Sequence, residues 1–419
     1  MAPAPMAIAA RPNPPDARQA PIRRILAAAF LRSVAVGMVG VLLGIWLARR
    51  GLPPGAIGEV VAAGLGGTAV AAALAGHSER IGRKRFLISQ TLLAALAGIL
   101  LPLASSPAIA LAVAFGCMLN GMGKDRGAAY VIESALLPEY VGKKTQTWAF
   151  AWYTLLQDSG YAVGAALAGL PAWTTAAGWT SLDGGFRLAF GCYAALLVLA
   201  ALLYAGLPAA LDAPPAGPPR PLSPATRQRV FGLSGLFVID ALGGGFLTAA
   251  LVSYFLDVRF GVGPAAIGFL YMAARLANAA SHPASAWLAG RIGLINTMVF
   301  THIPSSLFLV AMAFAPTFPL AATLFLLREC LVEMDVPARQ SYVMSMVAPE
   351  ERTVVSSITS LVRQGGWAVG PAIAGWATAG LALAAPLVVG AGLKISYDLL
   401  LFAAFRRVKL EQEGGATVR

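Results

Sequence analysis

The sequence predicts an all-α membrane protein of twelve transmembrane helices arranged as two pseudo-symmetric six-helix bundles. Three observations carry this prediction: a composition too apolar for a water-soluble chain, twelve apolar runs divided six and six by a polar linker, and short repeats that recur in the same order in both halves. Of the 419 residues, 58% are hydrophobic and 12% charged, and the mean hydropathy is +0.72. Soluble domains carry about 25% charged residues.

A helix needs about 20 apolar residues to cross a bilayer. Runs of that kind occur at roughly 26–48, 56–76, 86–104, 108–137, 147–170 and 186–206, and again at 229–256, 265–289, 294–315, 317–347, 353–379 and 383–405. Between the two sets, residues 207–228 are Pro-rich and polar, as an exposed linker should be. Residues 1–25 are rich in Pro and Ala with scattered Arg and are expected to be a disordered cytoplasmic tail. A second tail is expected at 406–419. The domain reading is thus 26–206 and 229–405, joined by the linker.

The formal charge of +12 invites a nucleic-acid reading, but the basic residues gather in alternate loops. With the N-terminus inside, the cytoplasmic segments hold nineteen Lys and Arg and the opposite side four, namely Arg49, Arg50, Arg187 and Arg259. Such asymmetry places both termini in the cytoplasm, with the lipid bilayer, not nucleic acid, as the surrounding partner. Cys117, Cys192 and Cys330 lie inside apolar runs and suggest neither disulfides nor a zinc site. His77, His282 and His302 are too scattered to hold a metal. No cofactor is expected.

The halves resemble each other in sequence. Residues 160–169 (GYAVGAALAG) and 366–375 (GWAVGPAIAG) share seven of ten positions. Ala56-Ile57-Gly58 recurs as Ala266-Ile267-Gly268, and Arg80-Ile81-Gly82 as Arg291-Ile292-Gly293, so the offsets are 206, 210 and 211. Three repeats in one order point to a duplicated six-helix unit. Gly160 with Gly164, and Gly366 with Gly370 followed by Pro371, form small-xxx-small pairs that let helices pack closely.

The most unusual stretches are 119–139 and 327–350, where charges interrupt apolar runs and each stretch ends in Pro-Glu. Lys124, Asp125, Arg126 and Glu133 fall in the first; Arg328, Glu329, Glu333, Asp335 and Arg339 fall in the second. A charge at bilayer depth costs about 2.5 to 3.5 kcal/mol on insertion scales, so each should face a partner or a water-filled path. On a continuous helix Arg126 and Glu133 share a face, as do Arg328, Asp335 and Arg339, while Glu329 and Glu333 form an i, i+4 pair. Pro337 should loosen the tenth helix. Arg126 is expected to pair with Glu133, Glu333 or Asp335 in one of the alternating states of a transport path. Two roles are open to these charges: proton or substrate handling along a path, or structural ion pairs that clamp the bundles. Asp158, Arg275, Arg363, Lys394 and Asp398, in other helices, are expected to pair across helix interfaces.

The loop after the second run reads Gly76-His77-Ser78-Glu79-Arg80-Ile81-Gly82-Arg83-Lys84-Arg85. It is similar to the G-x-L-a-D-r-x-G-r-k motif of the major facilitator superfamily, with Ser78 in place of an apolar residue and Glu79 in place of Asp. The resemblance covers about residues 25–405. It implies a secondary active transporter whose first, fourth, seventh and tenth helices line a central cavity, and those helices here also carry Arg32 and Asp240. It further implies a gating role for Gly76, Glu79, Arg80, Gly82, Arg83, Lys84 and Arg85. Gly366-x-x-x-Gly370-Pro371 resembles the antiporter motif of that superfamily, but in the eleventh helix and not the fifth. The expected function is export of a small organic molecule by a monomer in a bacterial inner membrane, with the proton as coupling ion. Uptake of a zwitterionic or anionic solute, and a non-transporting sensor or assembly protein of the same fold, are the alternatives. No nucleophile-His-acid set or nucleotide loop suggests an enzyme.

Overall fold

The computed structural model describes residues 15–75, 82–141, 146–209, 222–345, 347 and 351–405. Among these residues the chain is helical and contains no strand. The first half runs through α1 (Pro15–Arg49), α2 (Pro54–Ala75), α3 (Arg83–Leu100), α4 (Pro107–Gly116), α5 (Ala128–Tyr140), α6 (Gln146–Leu167), a short α7 (Leu170–Ala176) and α8 (Leu182–Ala205). The second runs through α9 (Pro224–Phe246), α10 (Ala249–Phe260), α11 (Pro264–Ile292), α12 (Leu294–Ala313), α13 (Phe318–Val332), α14 (Asp335–Ser345), α15 (Arg352–Gly380) and α16 (Ala385–Phe405). Seven stretches are long and apolar enough to cross a membrane: α1, α2, α3, α8, α9 with α10, α12 and α16. The remaining five, α4 with α5, α6, α11, α13 with α14, and α15, complete the predicted twelve.

Local signals explain where helices begin. Pro54, Pro107, Pro224 and Pro264 open helices at positions whose N–H would have no partner. The Ser106, Ser181, Ser223 and Thr248 hydroxyls accept from backbone N–H groups three residues on. Gly82 and Gly293 occupy equivalent loops, 211 residues apart, with φ of 99° and 85°. Side chains avoid that conformation, so the two turns require glycine.

Three boundaries differ from the sequence prediction. Helix α1 starts at Pro15, so residues 15–25 are helical and not tail. Helix α9 starts at Pro224, inside the stretch assigned to the linker. The fourth, seventh and tenth runs are each two helices, the seventh parting at Leu247–Thr248. Between α4 and α5, residues 117–127 leave the helix, with Met118 and Gly123 at φ of 53° and 76°. Asn120 ties this loop, accepting from Met122 N and donating to Lys124 O, both at 2.9 Å. In the tenth run the break falls at Glu333–Met334, ahead of Pro337. Pro337 therefore sits in the first turn of α14, where its missing N–H costs nothing.

Helix α6 packs on α1 and α15 on α9, in equivalent ways. A Cβ on Gly160 would lie 2.7 Å from the Ser33 Cβ, and one on Gly164 2.1 Å from the Val34 carbonyl oxygen. Likewise, a Cβ on Gly366 would lie 2.7 Å from the Ala241 Cβ, and one on Gly370 2.6 Å from the Gly245 Cα, with Pro371 directly after it. The halves meet through α2 on α15, α6 on α11 and α1 on α10. These seams close at the face opposite the termini. There a Cβ on Gly58 would reach the Pro371 carbonyl oxygen at 2.3 Å and Trp376 Nε1 donates to Glu59 at 2.9 Å, and at the break in the fourth span Ala250 N donates to Gly121 O at 3.1 Å. At the terminal face, Glu351 accepts from Ser223 N at 2.5 Å and Thr226 Oγ1 at 2.6 Å, which holds its carboxyl below the usual carboxylate range.

The packing at Gly164 yields a direct expectation. Gly164→Val should destabilise by about 1–3 kcal/mol through overpacking and lower the melting temperature in detergent by several degrees. Gly191→Ala, at a position with nothing within 4 Å, should leave the melting temperature unchanged.

Candidate functional site

The charged residues fall into one cluster in each half and a pair between them. In the first half Arg32 of α1 is the hub. Its guanidinium meets Asp125 at 2.6 Å and Glu133 at 2.8 Å, and donates to Tyr204 Oη at 2.5 Å. Glu133 is fully buried on α5 and also accepts from Tyr204 and, at 2.7 Å, from Tyr153. Asp125 is held by the Gly127 N–H at 2.9 Å, and its own N–H donates to Tyr161 Oη at 2.8 Å. Burying such groups is tolerable because every oxygen is satisfied. Two carboxylates share one guanidinium here.

In the second half the hub is acidic. Asp240 of α9 meets Lys394 and Arg363 at 2.9 Å each and Arg339 at 3.4 Å. Arg339 also binds Asp335 at 2.6 Å, and Asp398 binds His302 at 2.9 Å, with the His302 ring 3.3 Å from Lys394 Nζ. Arg32 and Asp240 lie 208 residues apart (240 − 32), and Glu133 and Arg339 lie 206 apart (339 − 133). Both offsets fall among those of the sequence repeats. The duplicated unit thus carries the same ion pair twice, with the signs exchanged.

Between the halves, Lys124 binds Glu333 at 2.7 Å. A cavity lies next to this pair, lined by Leu65 and Thr68 of α2, Asn120, Lys124 and Arg126 of the α4–α5 break, and Gln364 and Trp367 of α15. Arg126 lies over the Tyr130 ring, 5.5 Å from its centroid, and has no ion-pair partner among the described residues. Asp158 of α6 and Glu333 are the carboxylates near enough to act on both Lys124 and Arg126. Gln364 is buried, and its side-chain oxygen has no hydrogen-bond partner among the described residues.

The expected pairing of Arg126 is therefore absent from this state. Its three candidate acids are taken by other cations: Glu133 by Arg32, Glu333 by Lys124 and Asp335 by Arg339. The reason is the helix breaks, which cancel the 100° step that placed Arg126 and Glu133 on one face. The shared face of Arg328 and Asp335 is lost likewise, and Arg328 turns to Glu329. Glu329 also accepts from Asn278 at 2.9 Å, while Glu333 turns to Lys124. The cross-helix pairing expected for Arg363, Lys394 and Asp398 is present. In the loop motif, Gly76, Glu79 and Arg80 lie outside the described residues. Gly82, Arg83, Lys84 and Arg85 are described, and Lys84 Nζ donates to Leu207 O at 2.8 Å.

Sequence reasoning missed Tyr153, Tyr204 and His302 as members of the clusters. The signal was present, since a tyrosine hydroxyl or imidazole inside an apolar helix needs a partner. Removing one member of the Arg32–Glu133 pair should cost about 3–5 kcal/mol, and replacing both with apolar residues should cost much less. Arg32→Met alone should sharply reduce monodisperse protein, and Arg32→Met with Glu133→Leu and Asp125→Asn should recover most of it, as judged by size-exclusion chromatography. Failure of the triple variant to recover would contradict the pairing.

Comparison with known proteins agrees with this architecture. An uncharacterized membrane protein of Saccharomyces cerevisiae is 23% identical over 420 residues, covering 92% of this chain and 94% of the yeast protein. The nucleoside transporter NupG superposes with a TM-score of 0.70 at 13% identity, covering 93% of this chain and all of that one. The human organic anion transporter MFSD10 superposes with a TM-score of 0.59 at 16% identity, covering 92% and 99%. Residues 25–371 match the sequence profile of the Major Facilitator Superfamily. Twelve spans in two charge-clustered halves, closed over a central cavity, are thus the body of a transporter, and the chain belongs to the Major Facilitator Superfamily.

Proposed function

We propose that the protein moves a small organic solute with an acidic group across its membrane by alternating access, and that Arg126 binds the acid. The observation that carries this reading is Arg126 itself, a guanidinium that lines the cavity with no ion-pair partner among the described residues, while Glu133, Glu333 and Asp335 are each held by another cation. A guanidinium offers a planar fork of donors suited to a carboxylate or phosphate. Leu65 and Trp367 in the same lining would cover an organic body.

The proton is the proposed coupling ion. The first-half cluster has two carboxylates for one guanidinium, a surplus that a proton would cancel, whereas Asp240 faces three cations. A second pocket reaches this cluster, lined by Arg32, Asp125, Gln90 and Thr91, and it shares Thr68 and Asn120 with the central cavity. The proposed direction is export from the cytoplasm across a bacterial-type inner membrane, with both termini cytoplasmic, as the charge asymmetry of the loops favours. For a solute of net negative charge, export and proton entry both run down an inside-negative potential, worth about 2.3 kcal/mol per charge per 100 mV.

Purified protein in proteoliposomes tests this. Across a panel of organic acids, Arg126→Gln should weaken binding about tenfold or more, the value of one lost charge-assisted contact, without loss of folded yield. Arg126→Lys should recover part of the binding. Asp125→Asn or Glu133→Gln should abolish transport driven by a pH gradient while substrate exchange persists. Unchanged binding in Arg126→Gln would overturn the anion site, and unchanged uphill transport in both carboxylate variants would remove them as proton carriers.

A further inference from the structure

We infer that Glu333 makes the central cavity selective for solutes that carry a basic group beside the acid, the charge pattern of an amino acid. This rests on the reading of Arg126 as the acid-binding group and adds an opposite contact to it. The starting point is the position of the Lys124–Glu333 pair. Lys124 lies in the break of the fourth span and Glu333 at the break of the tenth, so the pair joins the two halves where both spans are unwound. Its side chains are 15% and 21% exposed, against 4% and 0% for the sealed Arg32–Glu133 pair.

Lys124 lines the cavity, so its pairing with Glu333 competes with whatever enters. Lys124 and Arg126 line the same space, so an acid bound between them draws Lys124 away from Glu333. A plain anion would then leave Glu333 in the protein without its salt-bridge partner, which is costly. A solute with its own ammonium group avoids this. Its acid takes Lys124 and Arg126, and its ammonium takes Glu333 and the unpartnered oxygen of Gln364, which lines the same cavity. One internal ion pair is exchanged for two with the solute, and the charge balance of the site is unchanged. Asn120 holds the Lys124 backbone in place, so the exchange needs only side-chain motion at that end.

The test uses the full chain in nanodiscs and two matched probe pairs that differ only by the ammonium group: phenylalanine with 3-phenylpropanoate, and aspartate with succinate. Wild type should bind at least one amino acid about tenfold more tightly than its deaminated partner, in keeping with one charge-assisted contact. Glu333→Gln should bring the two members of that pair within about twofold and leave the deaminated acid unweakened. The neutral double variant Lys124→Gln/Glu333→Gln should remain folded and show the same loss of preference, which covers the case in which Glu333→Gln alone does not fold. Equal binding within both pairs by wild type, binding of no probe, or a preference that survives in the double variant overturns the proposal. Arg126→Gln separates the two readings: it should weaken both members of a pair, and if it weakens neither the anion site fails while the effect of Glu333 is read independently.

Discussion

The structure is governed by the cost of an ionised side chain at membrane depth, about 2.5 to 3.5 kcal/mol even on insertion scales. A chain that keeps eleven charged candidates in its central helices must therefore pair them or open them to water. It does both. Arg32, Asp125 and Glu133 close on one another with three tyrosines, and Asp240 gathers Lys394, Arg363 and Arg339 from three helices. Unwinding the fourth and tenth spans at 117–127 and 333–334 is what makes this arrangement reachable. The breaks turn Lys124 and Arg126 out of the helix and toward the cavity, where irregular backbone is tolerated because it lines a polar space.

Sign exchange between the repeats has a mechanical consequence. Each half carries a buried ion pair between its first and fourth spans, Arg32–Glu133 and Asp240–Arg339, so each half is internally tied. The ties between halves differ in kind. At the face opposite the termini they are close backbone approaches at Gly44, Gly58 and Gly268, where a Cβ would lie 2.0 to 2.3 Å from a carbonyl oxygen of the other half. At the centre the ties are the partly exposed Lys124–Glu333 pair and the bonds of Arg275 to Gly123 O and Ala250 N to Gly121 O. Two stiff bodies joined by shallow contacts and one exchangeable pair match the rigid-body rocking expected of alternating access.

Much of the fold was legible in the sequence, because hydropathy runs and repeat offsets depend on spacing alone. Glycine pairs such as Gly160 with Gly164 were legible for the same reason: their residue type admits only close packing. Partners in the charged clusters were not. Placing Arg126 on the face of Glu133 assumed an unbroken helix, and residues 119–127 hold Asn120, Gly121 and Gly123, which end one. Tyr204 and His302 sit 71 and 96 residues from their carboxylate partners, and no local pattern marks contacts that distant. The Gly76–Arg80 part of the loop motif lies outside the described residues, so its gating role stands as the resemblance implies it.

The account turns on one distinction, that Glu133 is sealed among its partners while Arg126 faces the cavity. Single cysteines at these positions, in a background without Cys117, Cys192 and Cys330, can be exposed to a membrane-impermeant anionic thiol reagent in proteoliposomes. Arg126→Cys should react readily, and Glu133→Cys, made together with Arg32→Met and Asp125→Asn to keep the fold, should stay unmodified. An unreactive cysteine at 126, or equal reactivity at both positions, would contradict it.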